Sequence, residues 1–130
     1  MNMFKCCISA SVVLAVLLCG CDPIRTVQIR PQKEDRRILV YLKSTDVTHV
    51  GISSPENPID ISLRSSPEFR QHYSIGKWDS QSIHDLLVNQ IDSIVIFNGT
   101  QKKSYRTATS LQKFLESKRQ TFSQHVILLK

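Results

Sequence analysis

Cysteine is absent from this chain after residue 21. All four cysteines, Cys6, Cys7, Cys19 and Cys21, stand within the first 21 of its 130 residues. The rest of the chain therefore offers no disulfide, no thiolate metal site and no cysteine nucleophile. A domain built from it must depend on its hydrophobic core, for which about 110 residues are enough.

A hydrophobic run long enough to span a membrane is also missing. A spanning helix needs roughly 20 apolar residues, whereas the apolar run over residues 8–18 has eleven. It follows a single positive charge at Lys5 and leads into Leu18-Cys19-Gly20-Cys21. The short run behind a positive charge is typical of a signal peptide. A cysteine after the small Gly20, with Leu18 three places before it, indicates a lipoprotein processing site.

We therefore predict a lipoprotein signal peptide over residues 1–20 and lipidation at Cys21. Residues 21–26 would form the lipidated N-terminus and a spacer, and residues 27–130 a single globular domain. The alternative is an ordinary secretory signal that leaves Cys21 as a free thiol. One acyl chain binds a membrane only marginally, whereas two or three hold stably. The membrane is thus the first expected partner, and the sequence leaves open which envelope membrane it is and what the oligomeric state is.

Basic residues exceed acidic ones. Removal of residues 1–20 takes away Lys5 and no acid, which lowers the formal net charge from +6 to +5. A basic domain near an anionic lipid surface gains about 1 kcal/mol per nearby charge, but a solvated surface of mixed charge explains the same composition. Without an aromatic and basic reader motif, we expect no nucleic acid partner. The small basic clusters are Arg36-Arg37, Lys102-Lys103 with Arg106, and Lys118-Arg119.

Motifs of common enzymes are missing as well. The chain has no G-x-S-x-G elbow, no H-E-x-x-H, no glycine-rich phosphate loop and no two histidines three or four positions apart. His84 and Asp85 are neighbours on a predicted helix, where adjacent side chains point in different directions. We predict no catalytic, cofactor-binding or metal site. The candidate histidines are His49, His72, His84 and His125.

The hydrophobic pattern predicts an α+β domain, with a mainly antiparallel sheet and two or three short helices; a β-sandwich is the second choice. Ile38 begins a continuous apolar run that favours a central strand buried on both faces. Asn98-Gly99 predicts a type I′ hairpin turn. The predicted strands are residues 24–30, 38–42, 48–53, 59–64, 92–97, 102–106 and 126–129. The predicted helices are residues 66–72, 80–91 and 109–119.

Caps and aromatic residues complete the predicted elements. Ser66 and Ser80 are the expected N-caps of the first two helices, and Thr109 with Gln112 is spaced as a capping box for the third. We expect Phe122 to extend the apolar face of that helix. Tyr73, Trp78 and Tyr105 lie in or next to predicted turns. They serve either as contact points for a protein or glycan partner or, by the favoured interpretation, as part of the core.

Three segments resemble small uncharacterised lipoproteins of Bacteroidetes: residues 21–26, the strand Asp92-Ser93-Ile94-Val95-Ile96-Phe97, and Ser110-Leu111-Gln112-Lys113-Phe114. The resemblance implies a cell-envelope lipoprotein and transfers no active site. It also implies that Asp92-Ser93-Ile94 is an O-glycosylation site, provided that Ser93 stands at an exposed strand start. We therefore expect a lipid-anchored envelope protein, in the cell membrane or outer membrane, that acts as a binding or structural module. A small envelope hydrolase with an unrecognised site is the alternative.

Overall fold

The computed structural model describes residues 23–43 and 56–130. Within them the chain forms seven strands and two helices, which confirms the predicted α+β class with mainly antiparallel sheets. The strands are β1 (Ile24–Ile29), β2 (Arg36–Leu42), β3 (Ile59–Ser62), β4 (Phe69–Ile75), β5 (Ile91–Asn98), β6 (Gln101–Tyr105) and β7 (Val126–Leu129). Helix α1 (Ser80–Ile83) continues into a π-helical segment (His84–Val88), and α2 is Ala108–Ser117.

The strands form two sheets. The first has the order β4-β1-β7, with β1 antiparallel to β4 and parallel to β7. The second has the order β3-β2-β5-β6 and is antiparallel throughout. β2 lies between two neighbours, and its consecutive residues Ile38 and Leu39 are both buried. Because consecutive strand residues face opposite sides, this confirms that β2 is covered on both faces.

A single hydrophobic core joins both sheets and both helices. Val27 and Ile127 come from the first sheet, Ile38 and Ile94 from the second, and Leu111 from α2. On α1 and its π-helical continuation, Ile83 and Leu87 are fully buried. This part of the predicted helix over residues 80–91 therefore packs against the core. Ile91, the last residue of the predicted helix, instead begins β5.

The predicted helix over residues 66–72 is wrong. Ser62 and Ser66 exchange backbone hydrogen bonds of 3.1 and 3.0 Å, and the turn between them sends the chain back beside β1 as β4. In β4 the partly buried Phe69 and Gln71 and the buried Tyr73 alternate with exposed residues, a period of two. Pairing with β1 outweighs the local capping signal of Ser66 and Pro67. The predicted strand over residues 48–53 lies outside the described residues.

The helix caps are displaced from their predicted positions. Asp79, not Ser80, caps α1 by accepting a 2.7 Å hydrogen bond from the Ser82 amide. Thr107, not Thr109, caps α2, in a reciprocal box with Ser110. Gln112 instead donates to the Ser80 carbonyl oxygen at 2.8 Å and thereby ties the two helices together. A hydroxyl or carboxylate caps a helix only where the capping residue itself has an extended backbone, as Asp79 and Thr107 have, and the spacing of residue types does not reveal this.

The hairpin exists, but its turn is one residue later than predicted. Asn98 pairs with Gln101, so Gly99 and Thr100 are the two central residues. Gly99 has a φ of +63°, whereas Asn98 does not have a positive φ. Positive φ at the first central residue alone is the pattern of a type II′ turn, in which glycine takes that position.

Three further expectations need correction. Ile24, Arg25 and Thr26 lie in β1, as the predicted strand over residues 24–30 requires, so they do not belong to the predicted spacer over residues 21–26. Ser93 is buried within β5 and so lacks the exposure that glycosylation of the folded domain requires. Phe122 is fully exposed and does not extend the apolar face of α2.

Candidate functional site

A basic pocket of about 550 Å³, a volume typical of small-ligand sites, lies beside the β5–β6 hairpin. The β5–β6 hairpin, the C-terminal part of α2 and the ends of β2 and β7 form its walls. No Asp or Glu is among its described lining residues. Those residues are Arg36, Ile96, Asn98, Gln101, Lys102, Lys103, Tyr105, Phe114, Lys118, Leu129 and Lys130.

Strand pairing places the lysine of β6 on the wall. Lys103 is the Cα partner of Ile96, and Tyr105 is the partner of Ile94. Partners in an antiparallel pair share a face, so Lys103 and Tyr105 lie on the side of the sheet that carries the core. Lys102 pairs with Phe97 on the opposite face, and its Nζ lies 5.8 Å from the Phe97 ring centroid. Lys102 therefore borders the pocket but directs its charge elsewhere.

The floor of the pocket is an aromatic pair. Tyr105 and Phe114 stack with ring centroids 4.0 Å apart and an interplanar angle of 19°. Lys103 Nζ lies 5.5 Å from the Tyr105 centroid, and Lys118 Nζ lies 5.5 Å from the Phe114 centroid. Both distances are within the range of cation–π attraction. The pocket thus presents two ammonium groups, one over each ring of the stacked pair.

Arg36 occupies the opposite wall. One guanidinium nitrogen, Nη1, donates to the main-chain oxygen of Lys130. Its Nε is buried and has no hydrogen-bond partner among the residues that the structure describes. None of the ion pairs in the described ranges includes Arg36, Lys103 or Lys118. Several basic side chains that line one pocket, with no Asp or Glu among its described lining residues, favour an anionic ligand.

The structure brings together basic residues that the sequence separates into three clusters. Arg36, Lys103 and Lys118 reach the pocket, whereas Arg37 pairs with Asp60 and Arg119 donates to the Trp78 carbonyl oxygen. Two short-range patterns in the sequence could have indicated part of this pocket. Lys103 and Tyr105 are two apart on a strand, and Phe114 and Lys118 are four apart at the end of a helix, so each pair shares a side.

The predicted aromatic contact points separate into two groups. Trp78 is 1% exposed and Tyr73 is 7% exposed, and both belong to the core. The core interpretation is therefore correct for these two residues. Tyr105 is only partly buried and lines the basic pocket.

Three of the candidate histidines are described, and they lie apart from the basic pocket. His72 and His125 line a second, shallower depression, where His72 Nδ1 is 3.1 Å from Thr26 Oγ1. His84 Nδ1 is 3.3 Å from Asp85 Oδ1, so our expectation that these side chains point apart is wrong. Both are exposed, which leaves their rotamers free to bring the charged ends together. In residues 23–43 and 56–130 no group of three or more His, Cys, Asp or Glu could hold a metal ion.

The predicted lipidation site, Cys21, lies outside the described residues, as does His49. The chain position nearest Cys21 on a described strand is Ile24, the first residue of β1. Because β1 and β7 are parallel, with Thr26 beside Val126 and Ile29 beside Leu129, Ile24 and Lys130 lie at opposite ends of this sheet. Six residues of strand separate the two ends by about 20 Å.

Neither helix of the described ranges is long and apolar enough to cross a membrane. Comparison with family models, with curated proteins and with solved structures finds no match for the chain.

Proposed function

We propose that this chain is a lipid-anchored lipoprotein of the bacterial cell envelope whose domain binds an anionic ligand in the basic pocket. The apolar run before Leu18-Cys19-Gly20-Cys21 supports the anchor, and the resemblance to Bacteroidetes lipoproteins agrees with it. The observation that carries the binding role is the convergence of Arg36, Lys103 and Lys118 on one pocket whose described lining residues include no acid.

The pocket favours an anion that is joined to an apolar or aromatic body. A phosphate or carboxylate group would accept hydrogen bonds from the lysine ammonium groups, which are stronger when both partners are charged. The stacked Tyr105 and Phe114 rings would cover the apolar part of the ligand. An envelope glycan or protein with an exposed acidic group fits this chemistry. A small soluble anion without such a body would gain only the charge interactions.

Titration of the acylated full-length chain in zwitterionic lipid nanodiscs tests the binding role. Phenyl phosphate and inorganic phosphate serve as the probes, and calorimetry measures the affinity of each. We expect phenyl phosphate to bind more tightly. Because a hydrogen bond between charged groups is worth about 1.5–3 kcal/mol, Lys103→Gln and Lys118→Gln should each weaken binding about tenfold or more.

Each pocket lysine has a matched control on its own element. Lys102 lies next to Lys103 on β6 but directs its charge to the opposite face. Lys113 is an exposed lysine of α2 that does not line the pocket. Lys102→Gln and Lys113→Gln remove the same charge and should leave affinity within about twofold. Equal losses in all four variants would mean that only overall charge attracts the anion, which contradicts a pocket.

The anchor has a separate test. Mass spectrometry of the mature N-terminal peptide should show acyl chains on Cys21, and Cys21→Ala should release the protein from the membrane fraction. Two or more chains hold a protein stably, so release should be nearly complete. An unmodified Cys21 in the wild-type chain would contradict the anchored lipoprotein.

A further inference from the structure

Exposed apolar side chains are concentrated at one end of the domain. In the described residues four large hydrophobic side chains are exposed, and three of them are Ile24 at 52%, Ile75 at 63% and Phe122 at 102%. The fourth, Leu63, follows β3 directly. Single exposed hydrophobic residues are common on protein surfaces, but three at the same end require an explanation.

Strand pairing and loop hydrogen bonds place these three residues at the same end of the first sheet. Ile24 and Ile75 are Cα partners at the start of β1 and the end of β4. Phe122 is in the turn that precedes β7. That turn is bounded by a 2.9 Å hydrogen bond from the Gln120 amide to the Val126 oxygen, and Val126 lies beside Thr26. The turn therefore extends past the start of β7, toward the same end as Ile24.

This end, which we call the apolar end, is also the end nearest the predicted anchor. Ile24 stands three residues after Cys21, and three extended residues reach at most about 11 Å. Acyl chains on Cys21 would therefore hold the apolar end within a short distance of the lipid headgroups. Leu63 follows Ser62, whose partner Arg37 is at the start of β2 near the basic pocket, so it lies at the opposite end.

Two basic residues and one acid border the apolar end. Arg25 Nε donates to the Lys77 carbonyl oxygen at 2.7 Å, and the Lys77 side chain is exposed. Asp79 is an acid near Arg25, and its carboxylate is occupied with capping α1. Apolar side chains beside basic ones are the combination with which amphipathic helices bind in the headgroup region of a bilayer, and here the strand ends and a turn present that combination.

We propose that the apolar end docks on the lipid headgroup region of the membrane that holds the acyl chains. This proposal rests on the anchor in the proposed function, and it is independent of the pocket. In the docked state Ile24, Ile75 and Phe122 enter the interface. The strands of the first sheet then lead away from the membrane, and the basic pocket faces outward.

Spin-label accessibility on the acylated full-length chain tests the docking. Apart from the acylated Cys21, the mature chain has no cysteine, so one introduced cysteine can be labelled selectively. Thr121→Cys places a nitroxide next to Phe122, and Leu63→Cys places the control at the opposite end. In vesicles of phosphatidylethanolamine and phosphatidylglycerol, we expect residue 121 to be at least about fivefold more accessible to oxygen, relative to a water-soluble nickel chelate, than residue 63.

A second set of variants asks whether the exposed residues cause the docking. Adding Ile24→Ser, Ile75→Ser and Phe122→Ser to the labelled chain should make residue 121 as accessible to the nickel chelate as residue 63. The chain should still sediment with vesicles because the acyl chains hold it. The thermal unfolding midpoint controls for the fold.

The outcomes distinguish this proposal from the proposed function. Acylated Cys21 with equal accessibility at residues 121 and 63 would overturn the docking and leave the lipoprotein intact. An unacylated Cys21 would overturn both, because the docking needs the short tether. Shielding of residue 121 that increases with the protein density on the vesicle would assign the apolar end to a second copy of the chain, and so overturn the lipid assignment.

Discussion

At the scale of single residues, the contact between Tyr73 and Trp78 shows how unequal two buried aromatic side chains can be. Their ring centroids are 5.3 Å apart in an edge-on arrangement. Trp78 Nε1 donates to the Thr26 oxygen at 3.2 Å, whereas the Tyr73 hydroxyl has no partner in the described ranges. Burial raises the pKa of Tyr73 well above its usual value, so its hydroxyl stays neutral. This hydroxyl was desolvated on folding without a compensating hydrogen bond.

We therefore expect Tyr73→Phe to leave the free energy of unfolding unchanged or to raise it by up to about 1 kcal/mol. Trp78→Ala removes a fully buried side chain and its hydrogen bond, and should cost about 3–5 kcal/mol. Urea denaturation of both variants measures the difference. A loss of more than about 1 kcal/mol in Tyr73→Phe would show that the hydroxyl has a partner after all.

At the scale of elements, α2 allows a direct test of which residue caps it. Thr107 Oγ1 accepts a 3.1 Å hydrogen bond from the Ser110 amide, and Ser110 Oγ accepts one of 3.1 Å from the Thr107 amide. Thr107→Ala should lower the free energy of unfolding by about 1 kcal/mol. Thr109→Ala is the matched control. It removes the same hydroxyl from an exposed position inside the helix, where alanine is favoured. The free energy of unfolding should therefore stay level or rise by roughly a few tenths of a kcal/mol. A larger loss of stability in Thr109→Ala than in Thr107→Ala would instead support Thr109, the cap predicted from the sequence.

The ion pair between β2 and β3 gives a prediction about pH. Arg37 donates from Nε and Nη2 to the two Asp60 carboxylate oxygens at 2.9 and 2.5 Å. The hydrogen bond from Arg37 holds the pKa of Asp60 below its usual range. Since the pKa is lowered by folding, the pair stabilises the fold above the unfolded pKa of about 3.9. That contribution is lost as pH falls through the lower pKa of the folded state.

Asp60→Asn should therefore destabilise the protein by about 0.2–1 kcal/mol near neutral pH, because the pair is partly exposed. The difference from wild type should narrow once the pH falls below about 4. Urea denaturation at several pH values measures this. Asp92→Asn is the control, since Asp92 is an exposed acid of β5 outside the described ion pairs. A deficit that is independent of pH would mean that the ion pair is not its cause.

The elements that were predicted correctly are those whose secondary structure follows from the pattern of apolar residues within the element itself. The apolar run of β2 and the alternation of apolar and polar residues in β3 correctly predicted strands, because only an extended backbone buries those apolar side chains together. Where a local sequence pattern favoured a helix but strand pairing favoured a strand, the prediction from the local pattern was wrong. Ser66 and Pro67 form a sound helix start, yet the residues after them become β4 because β1 needs a neighbour on that side. Likewise Phe122 has the apolarity of a core residue, and only the position of its turn shows that it is exposed.

At the scale of the whole molecule, the basic pocket could not be derived from the sequence because its walls come from distant positions. Arg36 and Lys118 are far apart in the chain, and only the packing of α2 against the β5–β6 hairpin brings them to one site. The sequence gives charge and short-range spacing, whereas convergence depends on the order of strands in a sheet. The distance of the pocket from the start of β1, which lies three residues after the predicted lipidation site Cys21, depends in the same way on β7 running parallel to β1.

That parallel pairing leads to a prediction about the anchored protein. The pocket and the start of β1 are at opposite ends of the first sheet, about 20 Å apart. At physiological ionic strength the Debye length is about 8 Å, so charges of the membrane surface should be largely screened at the pocket. Binding of phenyl phosphate to the acylated chain should therefore differ by less than about twofold between vesicles with and without anionic lipid. Anionic lipid that competes with phenyl phosphate, by contrast, would mean that the pocket faces the membrane. Its ligand would then be a lipid headgroup, and the Lys103→Gln variant should lose that competition.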